Sequence, residues 1–209
     1  MKTLVLCLAL GGVALAQQWE VGGSAGVAVH KNATVKNASR SGDAGFKTGP
    51  AFSAFASQNM YEHLGGELRY TFQLSDMKVS SAGTEATFDG QSHAIHYDLL
   101  FYGTGRTAAV RPYLIAGGGG KYYRGTGKES AAAPPNADLA ILTKTSQFQP
   151  LIVFGGGVRV KAGSNTFFRI EARDYLSPIP KDIIAPVTGA SMSRWVHAFT
   201  PMVSVSFGF

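Results

Sequence analysis

Apolar and polar positions alternate with a period of two along much of the chain. Between Leu64 and Leu74, apolar residues or glycine take every second position, and residues such as Glu67 and Arg69 stand between them. Because successive side chains of a β-strand point to opposite faces, this segment predicts a strand with one apolar and one charged face. Its length, about ten residues, is typical of a strand that crosses a lipid bilayer.

Seven further segments alternate in a similar way, so the sequence predicts eight strands. They span residues 19–30, 46–57, 91–102, 111–123, 147–160, 166–176 and 194–209. In the first, Trp19 points outward and Glu20 inward, and in the weaker second segment Phe46 points outward. The faces of the segment 111–123 stay open, because glycines at 117–120 leave no side chains to assign.

The connections between these strands alternate between long and short. Long polar connections span 31–45, 75–90, 124–146 and 177–193, and short ones span 58–63, 103–110 and 161–165. Outer-membrane barrels have long loops outside and short turns in the periplasm. We therefore expect an all-β fold, an eight-stranded antiparallel up-and-down transmembrane β-barrel with a lumen filled by side chains. Ten strands remain an alternative, since strand ends are uncertain by a few residues.

The two ends of the chain carry targeting signals. Residues 1–16 predict a cleaved signal peptide, with a basic start, a short apolar stretch, and Ala14 and Ala16 before the cut. The barrel then occupies residues 17–209 and lacks cysteine, because Cys7 lies in the leader. The last strand ends in a terminal Phe, and such a strand resembles the signal that the outer-membrane barrel assembly machinery reads. Its residues on one face are Phe199, Val203, Val205, Phe207 and Phe209.

The mature chain as a whole resembles the outer-membrane β-barrel domain family, which includes the OmpA-type eight-stranded barrels. The resemblance rests on residues 65–70 (GGELRY), 111–117 (RPYLIAG), 168–173 (FRIEAR) and the C-terminal strand. It implies the barrel fold and a location in the bacterial outer membrane, but no single activity. Since no peptidoglycan-binding segment follows residue 209, we do not expect a role in anchoring the cell wall.

The formal charge of +6 becomes +5 once Lys2 leaves with the signal peptide. The basic residues are scattered, so we expect contact with anionic outer-membrane lipids rather than with nucleic acid. We also expect a monomer without a metal or cofactor. His93 and His96 point to opposite faces of a strand and cannot hold one metal ion together.

Charged residues on inward faces form the candidate site. They are Glu67, Arg69, His96, Asp98, Arg159, Arg169, Glu171 and Arg173. One interpretation is a network that controls a narrow ion path; the favoured one is paired charges that fill the lumen. Because arginine outnumbers the acids in this set, some arginine is expected at a water-filled rim.

An enzymatic site is the weaker hypothesis. Ser92, His96 and Asp98 share one face of the fourth predicted strand, as a lipid-acting hydrolase would need. However, a rise of about 3.3 Å per residue separates Ser92 from His96 by roughly 13 Å, too far to activate the serine. We therefore expect a non-enzymatic integral barrel with its four outer loops as interaction sites. A narrow small-solute channel and a lipid-acting hydrolase are the alternatives.

Overall fold

The computed structural model describes residues 18–128, 131–132 and 136–209. The predicted leader, with Ala14 and Ala16, lies outside the described residues. No described helix is long and apolar enough to cross a membrane. The strands are, in chain order, β1 (Gln18–Lys31), β2 (Ala33–Lys36), β3 (Ser41–Phe46), β4 (Gly49–Asn59), β5 (Leu64–Leu74), β6 (Met77–Ser81), β7 (Thr84–Phe88), β8 (Gly90–Tyr102), β9 (Val110–Gly125), β10 (Ala131–Ala132), β11 (Ala140–Thr143), β12 (Ser146–Lys161), β13 (Thr166–Pro178), β14 (Ile184–Pro186), β15 (Ser191–Met192) and β16 (Trp195–Gly208).

Eight long strands form a closed antiparallel barrel, which confirms the predicted fold and the strand count. Their order around the barrel is β1, β16, β13, β12, β9, β8, β5 and β4. The alternation that predicts each strand also sets its two faces. On β5, for example, Leu68 faces outward and is 53% exposed, whereas Arg69 points inward and is fully buried. Large apolar side chains thus cover the outer wall, as a lipid-facing surface requires.

The barrel closes where the first strand meets the last. The backbone N–H of Trp19 donates to Phe209 O at 3.2 Å, and that of Phe209 donates to Trp19 O at 2.9 Å. The ladders are staggered around the barrel. We start at His197 on β16 and step from each residue to its cross-strand partner on the next strand. After one full circuit of the barrel, this path returns to β16 at Phe207, ten residues further along. A stagger of this kind tilts the strands relative to the barrel axis.

The long connections fold into a second layer, which we call the cap. It comprises the described parts of residues 32–48, 75–89, 126–145 and 179–194, all at one end of the barrel. The other end, the turn end, carries the short connections 60–63, 103–109 and 162–165. Within the cap, β15, β2, β3, β6 and β7 form a five-stranded sheet, and β10, β11 and β14 form a three-stranded one. The sequence predicts these segments only as long polar connections, so the two cap sheets are a feature that it does not reveal.

The cap has an apolar core of its own. Tyr123 of β9 and Val196 of β16 contribute to it from the barrel. The buried cap residues are Ala33, Val35, Ala44, Phe46, Met77, Val79, Phe88, Leu139, Ala140, Leu142, Ile179, Ile183 and Ile184. The prediction that Phe46 faces lipid is wrong: it is 4% exposed and stacks on Tyr123 with ring centroids 5.1 Å apart. The cause is that β4 begins only at Gly49, so Phe46 belongs to cap strand β3.

One buried polar residue links three of the cap segments. Asn136 is fully buried, and its Nδ2 donates to Val79 O at 3.1 Å and to Thr84 O at 3.2 Å. Its Oδ1 accepts from Arg40 at 3.3 Å and from the Thr84 hydroxyl at 3.2 Å. Because a buried amide is costly unless its donors and acceptors are satisfied, these bonds fix the segments relative to one another.

Candidate functional site

Four acids and four arginines meet in the lumen, in what we call the charged layer. They are Glu20, Glu67, Asp98, Glu171, Arg69, Arg159, Arg169 and Arg173, all of them buried. They come from β1, β5, β8, β12 and β13, and each occupies an inward position of its strand. The layer exists because the alternation of five strands aims charged side chains at one another across the barrel.

Glu67 is the centre of the charged layer. Its Oε1 accepts from Arg69 Nε at 2.8 Å and from Arg173 at 2.6 Å, and its Oε2 accepts from Arg169 at 2.6 Å. The Ser57 hydroxyl donates a further bond to Oε2 at 2.8 Å. One carboxylate therefore holds three guanidinium groups, each through a charge-assisted hydrogen bond.

Glu171 and Asp98 complete the pairing on one side of Glu67. Glu171 Oε1 lies 2.8 Å from Arg69 Nη2 and 3.2 Å from Arg173 Nε. The Tyr113 hydroxyl donates to the same carboxylate at 2.7 Å. Asp98 pairs with Arg173 as well.

Glu20 completes the pairing on the other side. It accepts from Arg159 Nε at 2.9 Å and from Arg169 Nε at 2.9 Å, and also from the hydroxyl of Ser206. Arg159 is 4% exposed and paired with Glu20, and the expectation that some arginine faces a water-filled rim stays a prediction. The alternation of β1 predicts that Glu20 points inward, although Glu20 is not part of the predicted network. With it, acids and arginines balance.

Aromatic rings fill the space between the guanidinium groups. The Phe55 ring lies between Arg69 and Arg169, each with its Cζ 4.5 Å from the ring centroid. The guanidinium of Arg159 lies 3.5 Å from the centroid of Phe167. Such cation–π contacts add to the stabilisation that the ion pairs provide.

Two buried cations outside the charged layer were not predicted as part of the site. Towards the turn end, Arg111 lies 3.7 Å above the Tyr102 ring and donates to Asn59 Oδ1 at 2.9 Å. Towards the cap, Lys121 donates to the neutral Gln73 Oε1 at 2.7 Å. The sequence does not show that Lys121 points inward, because the glycines at 117–120 before it have no side chains from which a face could be assigned.

The residues of the hydrolase hypothesis are only partly brought together. His96 Nδ1 lies 2.8 Å from Asp98 Oδ1. The Ser92 hydroxyl instead donates to Gln73 Oε1 at 3.3 Å. In the described part of the chain, no group of three or more His, Cys, Asp or Glu side chains is arranged to hold a metal ion.

The predicted assembly signal lies on the outer wall of β16. Its five residues are all exposed: Phe199, Val203, Val205, Phe207 and Phe209. Phe209 is at the turn end, beside Trp19. Recognition of this surface by the assembly machinery stays a prediction, as does cleavage of the leader.

Comparison with known proteins places the chain among outer-membrane barrels. The sequence profile of the outer membrane protein beta-barrel domain matches residues 3–207. No curated protein matches the sequence.

Solved structures show the same fold. The outer membrane protein OprG from Pseudomonas aeruginosa is 15% identical with a TM-score of 0.59, and the match covers 92% of this chain and 95% of that one. A major outer membrane protein from Thermus thermophilus is 14% identical with a TM-score of 0.54, and the match covers 92% of this chain and 99% of that one. Neisserial surface protein A is 13% identical with a TM-score of 0.53, and the match covers 92% of this chain and 97% of that one. At these identities the likeness shows the fold alone.

Proposed function

Since the chain belongs to the outer membrane protein beta-barrel domain family and lies in the bacterial outer membrane, we propose that it is a sealed, non-enzymatic barrel. It acts as a monomer and presents the cap, on the outside of the cell, as a folded surface for interactions. The proposal joins two features of the fold, the closed lumen and the structured cap.

The charged layer is the observation that carries this proposal. An eight-stranded barrel has an interior just wide enough for its own side chains. Here Arg69, Arg169 and Arg173 are fully buried, and each is paired with at least one acid. A side chain held by several charge-assisted bonds does not move aside readily, which supports a lumen closed to ions and solutes.

The cap supports the second part of the proposal. Its strands, its apolar core and the Asn136 hydrogen bonds hold the long connections in one arrangement. A binding surface that is folded beforehand avoids the entropy cost of ordering loops on binding. This favours a role in surface interactions over a role in transport.

The side chains around His96 give little support to a hydrolase. Asp98 is shared between His96 and Arg173 inside the charged layer, and the Ser92 hydroxyl is directed to Gln73. A nucleophilic serine needs a base within hydrogen-bond reach. To test this, the refolded protein is incubated with phospholipid and with lipid A. We expect no release of fatty acid, and release that disappears in His96→Gln would favour the enzyme instead.

Single-channel recording in a planar bilayer tests the sealed lumen. We expect no current steps from the refolded chain, with folding verified by faster migration of the unheated protein on a gel and insertion verified by its flotation with lipid vesicles. Stable, reproducible steps would contradict the proposal and favour the narrow channel.

A matched double variant shows whether the charged layer is the seal. Glu67→Ser combined with Arg169→Ser removes one acid and one base, so the net charge is unchanged while the layer loses two large side chains. We expect this variant to conduct. If it folds, inserts and stays silent, the seal lies elsewhere in the barrel.

A further inference from the structure

The barrel wall is open between β12 and β13 near the cap. The two strands pair only as far as Ile152 and Leu176, although β12 begins at Ser146 and β13 continues to Pro178. On its other side, each strand stays paired over the same stretch. β12 pairs with β9 up to Ser146, and β13 pairs with β16 up to Pro178. The opening is therefore a local separation of two strands rather than fraying of the barrel end.

Proline explains why the ladder stops there. Pro150 and Pro178 lie on the two edges of the opening, and neither has an N–H to donate across it. Above the opening the strands are joined again through the cap: Asp182 N donates to Gln147 Oε1 at 3.0 Å, and the Thr145 hydroxyl donates to Asp182 O at 2.7 Å. The opening is thus a bounded cleft.

Basic, amide and apolar side chains line the cleft together. Its volume is about 430 Å³, and the residues around it are Gln147, Gln149, Pro178, Ile179, Lys181, Arg194 and Trp195. Lys181 and Arg194 are exposed, and neither forms an ion pair with a residue that the structure describes. The backbone bond from Ile179 N to Arg194 O, 2.9 Å long, brings the two chain segments together at its edge.

The position of the cleft is that of a membrane interface. Trp195 and Phe148 flank it on the outer wall, 42% and 66% exposed. Aromatic side chains gather at the level of lipid head groups in membrane barrels. Cations at this level, next to an aromatic belt, face the phosphates of the lipids and not the acyl chains.

The charges on the opposite wall differ. There Lys47 is paired with Glu85 at 3.2 Å, and Asp76 and Asp89 are exposed at the cap ends of β5 and β8. Around the cleft, exposed Arg124 on β9 and exposed Lys144, two residues before β12, instead add positive charge to that of Lys181 and Arg194, which together outweigh the exposed Asp182 beside Lys181. The wall that contains the cleft is therefore the one that would attract anionic lipid.

We propose that this cleft binds the phosphate-bearing head group of an anionic lipid in the leaflet that surrounds the cap. Lys181 and Arg194 pair with the phosphate, the guanidinium through two parallel hydrogen bonds, and the glutamine amides bond to its ester or sugar oxygens. Trp195 and Pro178 pack against the adjoining part of the lipid. The proposal rests on the membrane location but not on a sealed lumen, so the conductance experiment and the experiment below can fail separately.

The two tryptophans of the chain make the test possible, because they lie at opposite ends of the barrel. Trp195 borders the cleft, and Trp19 pairs with Phe209 at the turn end. The full chain with Trp19→Phe is reconstituted in phosphatidylcholine vesicles that contain brominated phosphatidic acid or, at equal mole fraction, brominated phosphatidylcholine. Bromine quenches tryptophan fluorescence on contact, so the quenching of Trp195 reports which lipid occupies the cleft.

We expect phosphatidic acid to be preferred at Trp195 by about 25-fold at low salt, since each of the two cations near the surface favours anionic lipid by about fivefold. The variant Lys181→Gln with Arg194→Gln should abolish the preference. The control variant Lys36→Gln with Lys78→Gln makes the same change in charge on the cap sheet and should keep it.

A second reporter separates a specific site from general attraction. In Trp195→Phe, the remaining Trp19 should show no preference between the two brominated lipids. Equal quenching of Trp195 by both lipids, or an equal preference at both tryptophans, would overturn the proposal. A preference at Trp195 that survives the loss of Lys181 and Arg194 would overturn it as well.

Discussion

The lumen and the cap are both densely filled, but by opposite chemistry. The charged layer joins four acids to four arginines with aromatic rings between them. The cap gathers alanine, valine, leucine, isoleucine and phenylalanine under two small sheets. One chain thus contains a core built from ion pairs and a core built as in an ordinary water-soluble domain.

The difference follows from what surrounds each core. The cap lies outside the lipid, so water drives its apolar side chains together. In the barrel the apolar side chains face lipid, and the alternation of each strand leaves polar residues for the lumen. Buried charges are tolerated there because they are paired, and pairing makes their cost roughly neutral. The two cores should therefore respond differently to substitution.

The largest effect is expected from breaking the centre of the charged layer. Glu67→Gln leaves three guanidinium groups without their shared carboxylate, and we expect the free energy of unfolding to fall by about 5 kcal/mol. Urea titration of the protein in lipid vesicles, followed by tryptophan fluorescence, measures this. Glu85→Gln is the control, since its exposed pair with Lys47 should contribute less than about 1 kcal/mol. Equal effects of the two variants would show that the charged layer does not stabilise the barrel.

The next effect should be confined to the cap. Phe46→Ala removes a buried ring and should destabilise the cap locally by about 3 kcal/mol. We expect faster tryptic cleavage at Lys78, while the difference in gel mobility between unheated and boiled protein remains. Phe52→Ala is the matched control, because Phe52 is 49% exposed on the wall of β4. If the barrel lost its folded mobility together with the cap, the two cores would form one cooperative unit.

The smallest effect is a gain in stability at the β6–β7 turn. Ala82 and Gly83 have φ values of 49° and 80°, the pattern of a tight hairpin turn that alanine adopts poorly. Asparagine tolerates this conformation better, so Ala82→Asn should slow hydrogen exchange in β6 and β7 by an amount equal to about 0.5 kcal/mol. Ala82→Val should speed it, and the charged layer should be unaffected. Slower exchange in both variants would exclude backbone strain as the cause.

The barrel could be predicted from sequence because the alternation assigns both faces of most of its strands without ambiguity. Leu68 beside Arg69, repeated along β5, fixes both faces at once. The same alternation predicts that Glu20 points inward. Which charged residues on distant strands pair with one another, however, depends on the stagger between the strands, and the sequence of a single strand does not reveal that stagger. For this reason the balance of acids and arginines emerged only from the structure.

The cap could not be predicted in the same way. An apolar residue such as Phe46 follows the same alternation whether it faces lipid or a buried core, and only the position where β4 begins distinguishes the two. Lys121 presents the opposite difficulty, because the glycines before it have no side chains to define a face. The periodicity of the sequence assigns residues to the two faces of a strand, but it does not show whether lipid or protein covers each face.

The contact between Trp19 and Phe209 has a consequence for the order of folding. These residues lie at the two ends of the described chain, so the closing ladder has a very large sequence separation and forms slowly. Until β16 arrives, β1 and β13 each expose an edge of unpaired backbone groups, which lipid cannot satisfy. The strand that carries the predicted assembly signal is thus the one that converts an open sheet into a closed surface.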